Sequence, residues 1–234
     1  MKRFFITASG TEVGKTLVTT TLCWQLRQRG KKVTALKPVV TGFSDTDVQS
    51  DPALILHSCG IHPEPAVMKA IAPWRFEAAL APHMAARDES DVPRLAQVVE
   101  FCKSHSDIGT HTLLVEGFGG VMAPLNHEHT VRDIITALDW PVLLVGACYV
   151  GAINHTLTAY ESLRTKNVDI HAIVISESEG SPVSLTATVD TVEQFVASDI
   201  PVVKMPRLPE NGTKWKQAPL IDWIVDDERE KAII

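Results

Sequence analysis

Gly10-Thr11-Glu12-Val13-Gly14-Lys15-Thr16 stands near the start of the sequence, between an apolar run at residues 3–8 and an amphipathic segment at residues 16–30. Gly14 permits a tight turn in which consecutive N–H groups and a helix N-terminus bind one anion. Lys15 can reach nucleotide phosphates, and the Thr16 hydroxyl can ligate Mg²⁺. The common spacing G-x-x-x-x-G-K-T would place glycine where Ser9 stands, so the alternative is a plain strand-to-helix turn. The setting nevertheless favours a phosphate-binding loop.

Outward from this loop, short runs of Val, Leu and Ile alternate with segments of helical spacing. The runs predict strands at residues 3–8, 32–37, 112–116, 141–146, 171–176 and 201–204. Helical spacing predicts helices at residues 16–30, 130–138, 154–166 and 184–197. Continuous apolar strands are typical of a sheet covered on both faces. The fold class is therefore α/β, a mostly parallel doubly wound sheet with helices on both faces and a site at the carboxyl ends of its strands.

Composition narrows the class of protein. A chain of 234 residues suits one domain, so residues 1–234 are expected to form a single nucleotide-binding catalytic domain. The net charge of −6 gives no basic field for nucleic acid. The N-terminal apolar run is too short for a signal peptide, and no membrane partner is expected. Four scattered cysteines without zinc-ligand spacing are typical of reduced thiols, so a cytoplasmic location is expected.

Three segments lack a clear pattern. Residues 44–94 are rich in Pro, Asp and His, and we expect loops and short helices over the sheet edge. Residues 206–215 are expected to form a loop, and residues 219–234 a closing helix with a charged end.

Two charged residues, Lys37 and Glu116, stand where a ligand of a parallel sheet would lie, and a third, Asp51, stands elsewhere. Lys37 ends the second predicted strand and could neutralise an anionic substrate or a phosphoryl group, or it could be a solvated lysine. Glu116 ends a buried strand before Gly117, which matches an acid that holds Mg²⁺. Asp51, which precedes a proline, is from the residues alone a helix cap.

Several short motifs together resemble the dethiobiotin synthetase family. In order along residues 3–210, they are Thr11-Glu12-Val13-Gly14-Lys15-Thr16, Lys37-Pro38-Val39, Ser50-Asp51-Pro52-Ala53-Leu54, Ala81-Pro82-His83, Glu116-Gly117-x-Gly119-Gly120 and Gly151-Ala152-Ile153-Asn154-His155. The resemblance implies a homodimeric, ATP-dependent cyclo-ligase of biotin biosynthesis. Its substrates would be 7,8-diaminononanoate, CO₂ and a nucleoside triphosphate, ATP, with Mg²⁺ as cofactor. The implied product is dethiobiotin, formed by carbamate formation, phosphorylation and ring closure.

The resemblance also implies a role for each matching position. The catalytic residues would be Lys37, Lys15 and Thr11. The Mg²⁺ ligands would be Thr16, Asp51 and Glu116. The substrate would meet Thr11, Glu12, Lys37, Thr41 and, from the neighbouring subunit, Asn154. The nucleotide would contact Glu12, Val13, Gly14, Lys15, Thr16, Leu17, Asp51, Glu116, Gly117, Phe118, Gly119, Ser176, Glu177, Pro206, Arg207 and Leu208.

Three positions depart from the family pattern. Ala8 replaces the glycine that opens the loop, and Gly10 replaces an aspartate. Ser176 replaces an asparagine that reads the adenine edge. Because serine offers one hydroxyl where asparagine offers a donor and an acceptor, we expect weaker discrimination among nucleotide bases.

Other functions remain to be weighed. A ParA- or MinD-type ATPase switch would carry a second lysine at the position of Gly10, and its absence argues against that class. A glutamine-dependent amidase-ligase would need a glutaminase domain, for which the chain is too short. A nucleotide-binding homologue with a different substrate, or with a non-catalytic regulatory role, stays open because of Ala8 and Ser176.

Overall fold

A six-stranded parallel sheet forms the centre of the computed structural model, which describes residues 1–44, 46–88, 91–105, 109, 111–209 and 213–225. Its strands are β1 (Lys2–Ala8), β2 (Val33–Leu36), β5 (Thr112–Glu116), β6 (Val142–Cys148), β7 (Ile170–Glu177) and β8 (Val202–Met205). The spatial order is β2-β5-β1-β6-β7-β8. The chain thus extends the sheet to one side of β1 first and to the other side afterwards. This order puts a crevice at the carboxyl end of β1.

Helices connect these strands, and because right-handed crossovers run in both directions along the sheet, they place helices on both of its faces. They are α1 (Lys15–Gln28), α2 (Asp51–Ser58), α3 (Pro65–Ile71), α4 (Pro82–Ala85), α5 (Leu95–Ser104), α6 (Val131–Leu138), α7 (Ala152–Arg164) and α8 (Leu185–Glu193). The predicted fold class is confirmed. All six predicted strands and four predicted helices are present, with ends that shift by at most a few residues because terminal turns depend on local capping.

The sheet interior follows from the sequence of its strands. Strand β6 is buried along its whole length, as is β5, including the Glu116 carboxylate at its end. Full burial of both strands requires cover on both faces of the sheet. The polar exception, Glu116, lies beside Ile6 of β1 and therefore at the edge where the phosphate loop begins.

A second, two-stranded sheet was not predicted. Strand β3 (Val39–Thr41) pairs in parallel with β4 (Trp74–Phe76), so the chain continues extended past Pro38. Helix α5 was also missed, although Leu95, Val98, Val99 and Cys102 recur at helical spacing. The expectation of short helices within residues 44–94 is confirmed by α2, α3 and α4.

The predicted closing helix is wrong in its described part. Residues 219–225 contain only a short 3₁₀ helix, Asp222–Ile224, and residues 226–234 lie outside the described structure. The Gln25 amide donates to the carbonyl of Pro219 (2.8 Å), and its oxygen accepts from the N–H groups of Ile221 and Asp222. These bonds to α1 satisfy the backbone without an α-helix. The predicted loop at 206–215 contains the start of a 3₁₀ helix, Lys214–Gln217.

Helix α6 begins with a capping box formed by Thr130 and Asp133, which should stabilise the fold. The Asp133 carboxylate accepts hydrogen bonds from the Thr130 N–H (2.7 Å) and hydroxyl (2.8 Å). We expect Asp133→Ala to lower the free energy of unfolding by about 1 kcal/mol at pH 7, because such caps contribute about that much. The exposed Asp190→Ala on α8 serves as the control and should change it by less than about 0.5 kcal/mol.

The effect of Asp133→Ala should depend on pH. Partial burial would raise the pKa of the Asp133 carboxyl, but the hydrogen bonds from Thr130 outweigh it and hold the pKa below its ordinary value. A folded-state pKa below the unfolded value stabilises the fold at neutral pH, and the contribution is lost as pH falls through the folded pKa. Denaturant unfolding should therefore show the difference shrinking as the pH falls below about 4, the ordinary pKa of an aspartate. A difference that is constant or larger in acid would contradict this role.

Candidate active site

The phosphate loop joins β1 to α1 at the crevice. Gly14 has φ of +101°, and a β-carbon there would lie 2.7 Å from the Ser176 hydroxyl, so only glycine fits. Glu12 also adopts a left-handed φ, +57°. Ala8 remains within β1 and is fully buried, and its carbonyl accepts from the N–H of Val121 (2.9 Å). Extended backbone does not require glycine, which explains why alanine is accepted at position 8.

Gly10 likewise has no conformational need for glycine. Its φ is not positive, and a β-carbon there would meet the nearest side chain, Val13, at an ordinary 3.9 Å. The loop therefore tolerates both departures from the family pattern at the level of its backbone.

Two buried lysines meet at the loop. Lys15 donates to the carbonyls of Gly119 (2.5 Å) and Gly10 (3.1 Å). Burial first, and then the neighbouring Lys37 ammonium, lower the pKa of Lys15 to about 8. Burial alone would lower the pKa of Lys37 as well, but the carboxylates of Glu116 and Asp51 outweigh it and raise that pKa above its ordinary value. Two cations so close together form a strong site for anionic oxygens.

Lys37 is held by two carboxylates. Its ammonium donates to Glu116 (2.5 Å) and forms an ion pair with Asp51 (2.7 Å). It also donates to the carbonyl of Gly117 at 3.3 Å. Burial would raise the pKa of Asp51, but the charge of Lys37 outweighs it and the pKa is lowered. Both acids predicted from the sequence therefore lie beside the predicted catalytic lysine.

The same carboxylates converge on Thr16 and suit a divalent cation. The single Thr16 hydroxyl lies 2.8 Å from a carboxylate oxygen of Asp51 and 2.8 Å from one of Glu116, although it can donate to only one at a time. The second oxygen of the buried Glu116 receives no hydrogen bond from the described residues. Described residues hold no cluster of three His, Cys, Asp or Glu side chains for a metal. Two carboxylates and a hydroxyl nevertheless fit Mg²⁺, which completes its shell with phosphates and water.

A cavity of about 800 Å³ opens over this cluster. It brings together the predicted residues Thr11, Glu12, Gly14, Lys15, Thr16, Leu17, Lys37, Thr41, Asp51, Phe118 and Gly119. Its other wall was not predicted and includes the apolar side chains of Val40, Phe43 and Leu80. Val40 lies within the Lys37–Gly42 segment and Phe43 directly follows it, so these two residues had a signal in the sequence, whereas Leu80 had none. Charged and apolar walls in one cavity suit a ligand with polar groups on a hydrocarbon chain.

A second cavity, of about 350 Å³, lies on the other side of the loop. It is lined by the predicted residues Glu12, Val13, Gly14, Leu17, Ser176, Glu177, Pro206, Arg207 and Leu208. The N–H of Arg207 donates to the Glu177 carboxylate (2.9 Å), which ties the two segments of this cavity together. A nucleotide whose phosphates lie on the loop would place its base here.

Asn154 stands apart from both cavities. It is exposed in the first turn of α7, which begins at Ala152, two residues before the predicted start. The structure therefore does not bring Asn154 to the site of its own chain.

Solved structures with the same fold define the class. A chain of the MinC:MinD cell division protein complex from Aquifex aeolicus matches 93% of this chain and 86% of its own, with a TM-score of 0.56 and 15% identity. A ParA family ATPase from Chlorobium tepidum matches 99% of this chain and 93% of its own, with a TM-score of 0.52 and 12% identity. At these identities the likeness concerns the fold alone. Together with the loop, it defines a nucleotide-binding protein of the P-loop NTPase fold.

Sequence relatives are more specific. Residues 2–212 match the family model described as an AAA domain. An ATP-dependent dethiobiotin synthetase BioD from Methylobacterium nodulans is 44% identical, covering 78% of this chain and 84% of the relative. Another, from Caulobacter sp. strain K31, is 39% identical, covering 96% of this chain and 95% of the relative. The chain belongs to the family of ATP-dependent dethiobiotin synthetases, which are ligases.

Proposed function

We propose that this protein closes the ureido ring of dethiobiotin from 7,8-diaminononanoate, CO₂ and ATP, with release of ADP and phosphate. The observation that carries the proposal is the convergence of Lys15, Lys37, Thr16, Asp51 and Glu116 beneath a cavity with apolar walls. Membership of the dethiobiotin synthetase family supports the same reaction. Residues 1–234 act as a single catalytic domain.

The chemistry leaves positioning and charge neutralisation to the protein. One amine of the substrate takes up CO₂ and loses a proton, which gives a carbamate. Transfer of the γ-phosphoryl group of ATP to a carbamate oxygen gives a mixed anhydride and ADP. The second amine then attacks the carbonyl carbon and loses a proton, the bond from that carbon to the phosphate oxygen breaks, and phosphate leaves as the ring closes.

Lysine side chains stabilise the charge that develops on oxygen in these steps. Lys15 neutralises the oxygens of the transferred phosphoryl group, and Lys37 those of the carbamate. Thr11, Glu12 and Thr41 face the carbamate and the diamine. The hydrocarbon chain of the substrate packs on the apolar wall at Phe43 and Leu80, where burial of each methylene contributes about 0.8 kcal/mol.

Mg²⁺ is the cofactor that the ligand set of Thr16, Asp51 and Glu116 suits, and when bound it neutralises phosphate charge during transfer. Asp51 and Glu116 supply the carboxylates, and each lies 2.8 Å from the Thr16 hydroxyl, so the three groups already stand together. The described helices include none long and apolar enough to cross a membrane. The four cysteines are free thiols, which supports a reducing, cytoplasmic location.

Labelled bicarbonate tests the reaction itself. With MgATP, the diamine and ¹³C-bicarbonate, we expect the label in the ureido carbon of dethiobiotin, detected by mass spectrometry. Bound nucleotide with no labelled product would refute ring closure and would favour a different substrate or a regulatory role.

The side chain at position 176 should determine how strongly the protein prefers ATP over other nucleoside triphosphates. Its hydroxyl is packed against Gly14 of the loop, and the side chain is 8% exposed. A single hydroxyl held there gives little discrimination among bases. We expect turnover with GTP or CTP within about tenfold of that with ATP, and a larger preference for ATP in Ser176→Asn. A preference for ATP above tenfold in the unsubstituted protein would contradict this role.

A homodimer would let Asn154 serve the neighbouring site. Asn154 is exposed, as is the nearby Val150, so both are accessible to a neighbouring chain. We expect Asn154→Asp to inactivate by repelling the substrate carboxylate. Mixing it with inactive Lys37→Met should restore about a quarter of normal activity, since half of the dimers then hold one intact site. No recovery after subunit exchange would contradict a shared site.

A further inference from the structure

Two cysteines far apart in sequence meet beneath the phosphate loop. Cys23 lies on α1, and Cys59 directly follows the last residue of α2. Their thiol groups are close enough to influence each other's ionisation. Cys23 is fully buried, whereas Cys59 is 9% exposed. A bond between them would tie together the two helices that begin at Lys15 and Asp51.

Cys59 lines a cationic cavity to which Cys23 does not contribute. The cavity has a volume of about 320 Å³, and its lining includes Arg27, Lys31 and Lys32. The Arg27 guanidinium donates to the carbonyl of Ser58 at 3.2 Å and lies so close to Gly60 that a β-carbon there would be 2.2 Å from it. The guanidinium is therefore held over the chain segment that contains Cys59.

The surroundings favour a thiolate at Cys59. The neighbouring Cys23 thiol lowers the pKa of Cys59, and the Arg27 charge adds to this against the opposing effect of burial. The carboxyl end of α2 disfavours negative charge, and Arg27 offsets it by binding the Ser58 carbonyl. The pKa of Cys23 is raised, first by the neighbouring Cys59 thiol and then by burial. One thiol is thus prepared to attack while the other keeps its proton.

We propose that Cys59 is a modification site for small anionic disulfides of the glutathione disulfide class, with Cys23 as the resolving thiol. Three observations support the proposal together: the contact between the two thiols, the access to Cys59 from the cavity, and the cluster of three cations around that access. Anionic groups on the disulfide would be attracted by Arg27, Lys31 and Lys32.

The proposed oxidation consists of two successive thiol–disulfide exchanges. The Cys59 thiolate attacks one sulfur of the disulfide, which forms a mixed disulfide and releases one glutathione thiolate. Cys23 then passes its proton to a released thiolate and attacks the Cys59 sulfur, which expels the second glutathione. The two protein thiols are oxidised to a disulfide, and the reagent is reduced to two thiols. Once Cys59 is in a mixed disulfide, its charge no longer raises the pKa of Cys23.

Mass spectrometry of the full-length protein after exposure to glutathione disulfide tests this. We expect loss of two hydrogen masses, with a Cys23–Cys59 cross-link in the peptide map. Cys23→Ser should accumulate the glutathione adduct on Cys59, and Cys59→Ser should leave Cys23 unmodified. Cys102→Ser is the matched control and should behave like the unsubstituted protein, because burial raises the pKa of Cys102 to about 12.

Charge selectivity provides the second readout. At low ionic strength, glutathione disulfide should modify Cys59 about tenfold faster than the cationic disulfide cystamine. The Lys31→Glu/Lys32→Glu variant should remove that difference. Equal rates for the two reagents, modification of Cys102 as fast as of Cys59, or a chain that stays fully reduced would overturn the proposal.

Discussion

We expect Lys37→Met to lower diamine-dependent phosphate release by about 10²–10³-fold, because it removes a cation that would stabilise charge on the reacting oxygens. The same change leaves the buried Glu116 carboxylate without its ion pair. Removal of one partner of a buried pair costs about 3–5 kcal/mol. We therefore expect the variant to unfold at a lower temperature as well, and activity must be measured well below that temperature.

A double variant separates the two effects of Lys37→Met. In Lys37→Met/Glu116→Gln, the buried charge is gone together with its partner, so thermal stability should recover. Phosphate release should not recover, since the cation and a proposed Mg²⁺ ligand are both missing. Lys204→Met, at an exposed lysine on β8, is the matched control for the loss of a lysine. Restored activity in the double variant would show that Lys37 serves stability alone.

Lys15→Met should also reduce phosphate release by about 10²–10³-fold, and it should weaken ATP binding in equilibrium titration. Lys15→Arg should fail in the same way, although it keeps the charge. The ammonium of Lys15 is held between the carbonyls of Gly10 and Gly119, and the side chain is only 7% exposed. A planar guanidinium is larger and has a different donor geometry, so it does not fit there.

Calorimetry of ATP binding to these variants distinguishes a binding role from a purely structural one. If Lys15→Arg binds and turns over ATP like the unsubstituted protein, the close fit of Lys15 to the loop is not needed. Unchanged unfolding temperatures in Lys15→Met would confirm that its loss of activity arises at the site.

Local sequence patterns predicted those site residues whose position follows from the element that carries them. Lys15 and Thr16 follow from the motif between a strand and a helix. Lys37 and Glu116 follow from the rule that parallel strands present residues at their carboxyl ends, and the structure joins them directly. These predictions required only the order of the elements along the chain.

Contacts between distant segments could not be derived in this way. The prediction from the residues alone that Asp51 is a helix cap was wrong, because Ser50 is the N-cap and Asp51 is the first residue of α2. The Asp51 carboxylate instead meets Thr16, which lies 35 residues away. The apolar wall at Phe43 and Leu80 depends on how residues 44–94 fold over the sheet, and that segment has weak periodicity. The contact of Cys23 with Cys59 depends on the packing of α1 against α2.

The most direct test is phosphate release from MgATP and bicarbonate, measured with and without 7,8-diaminononanoate. The proposed function predicts that release depends on the diamine and collapses in Lys37→Met but not in Lys204→Met. Release that is unchanged by the diamine, from a protein that still binds ATP, would contradict it and would favour a nucleotide-binding homologue with another role.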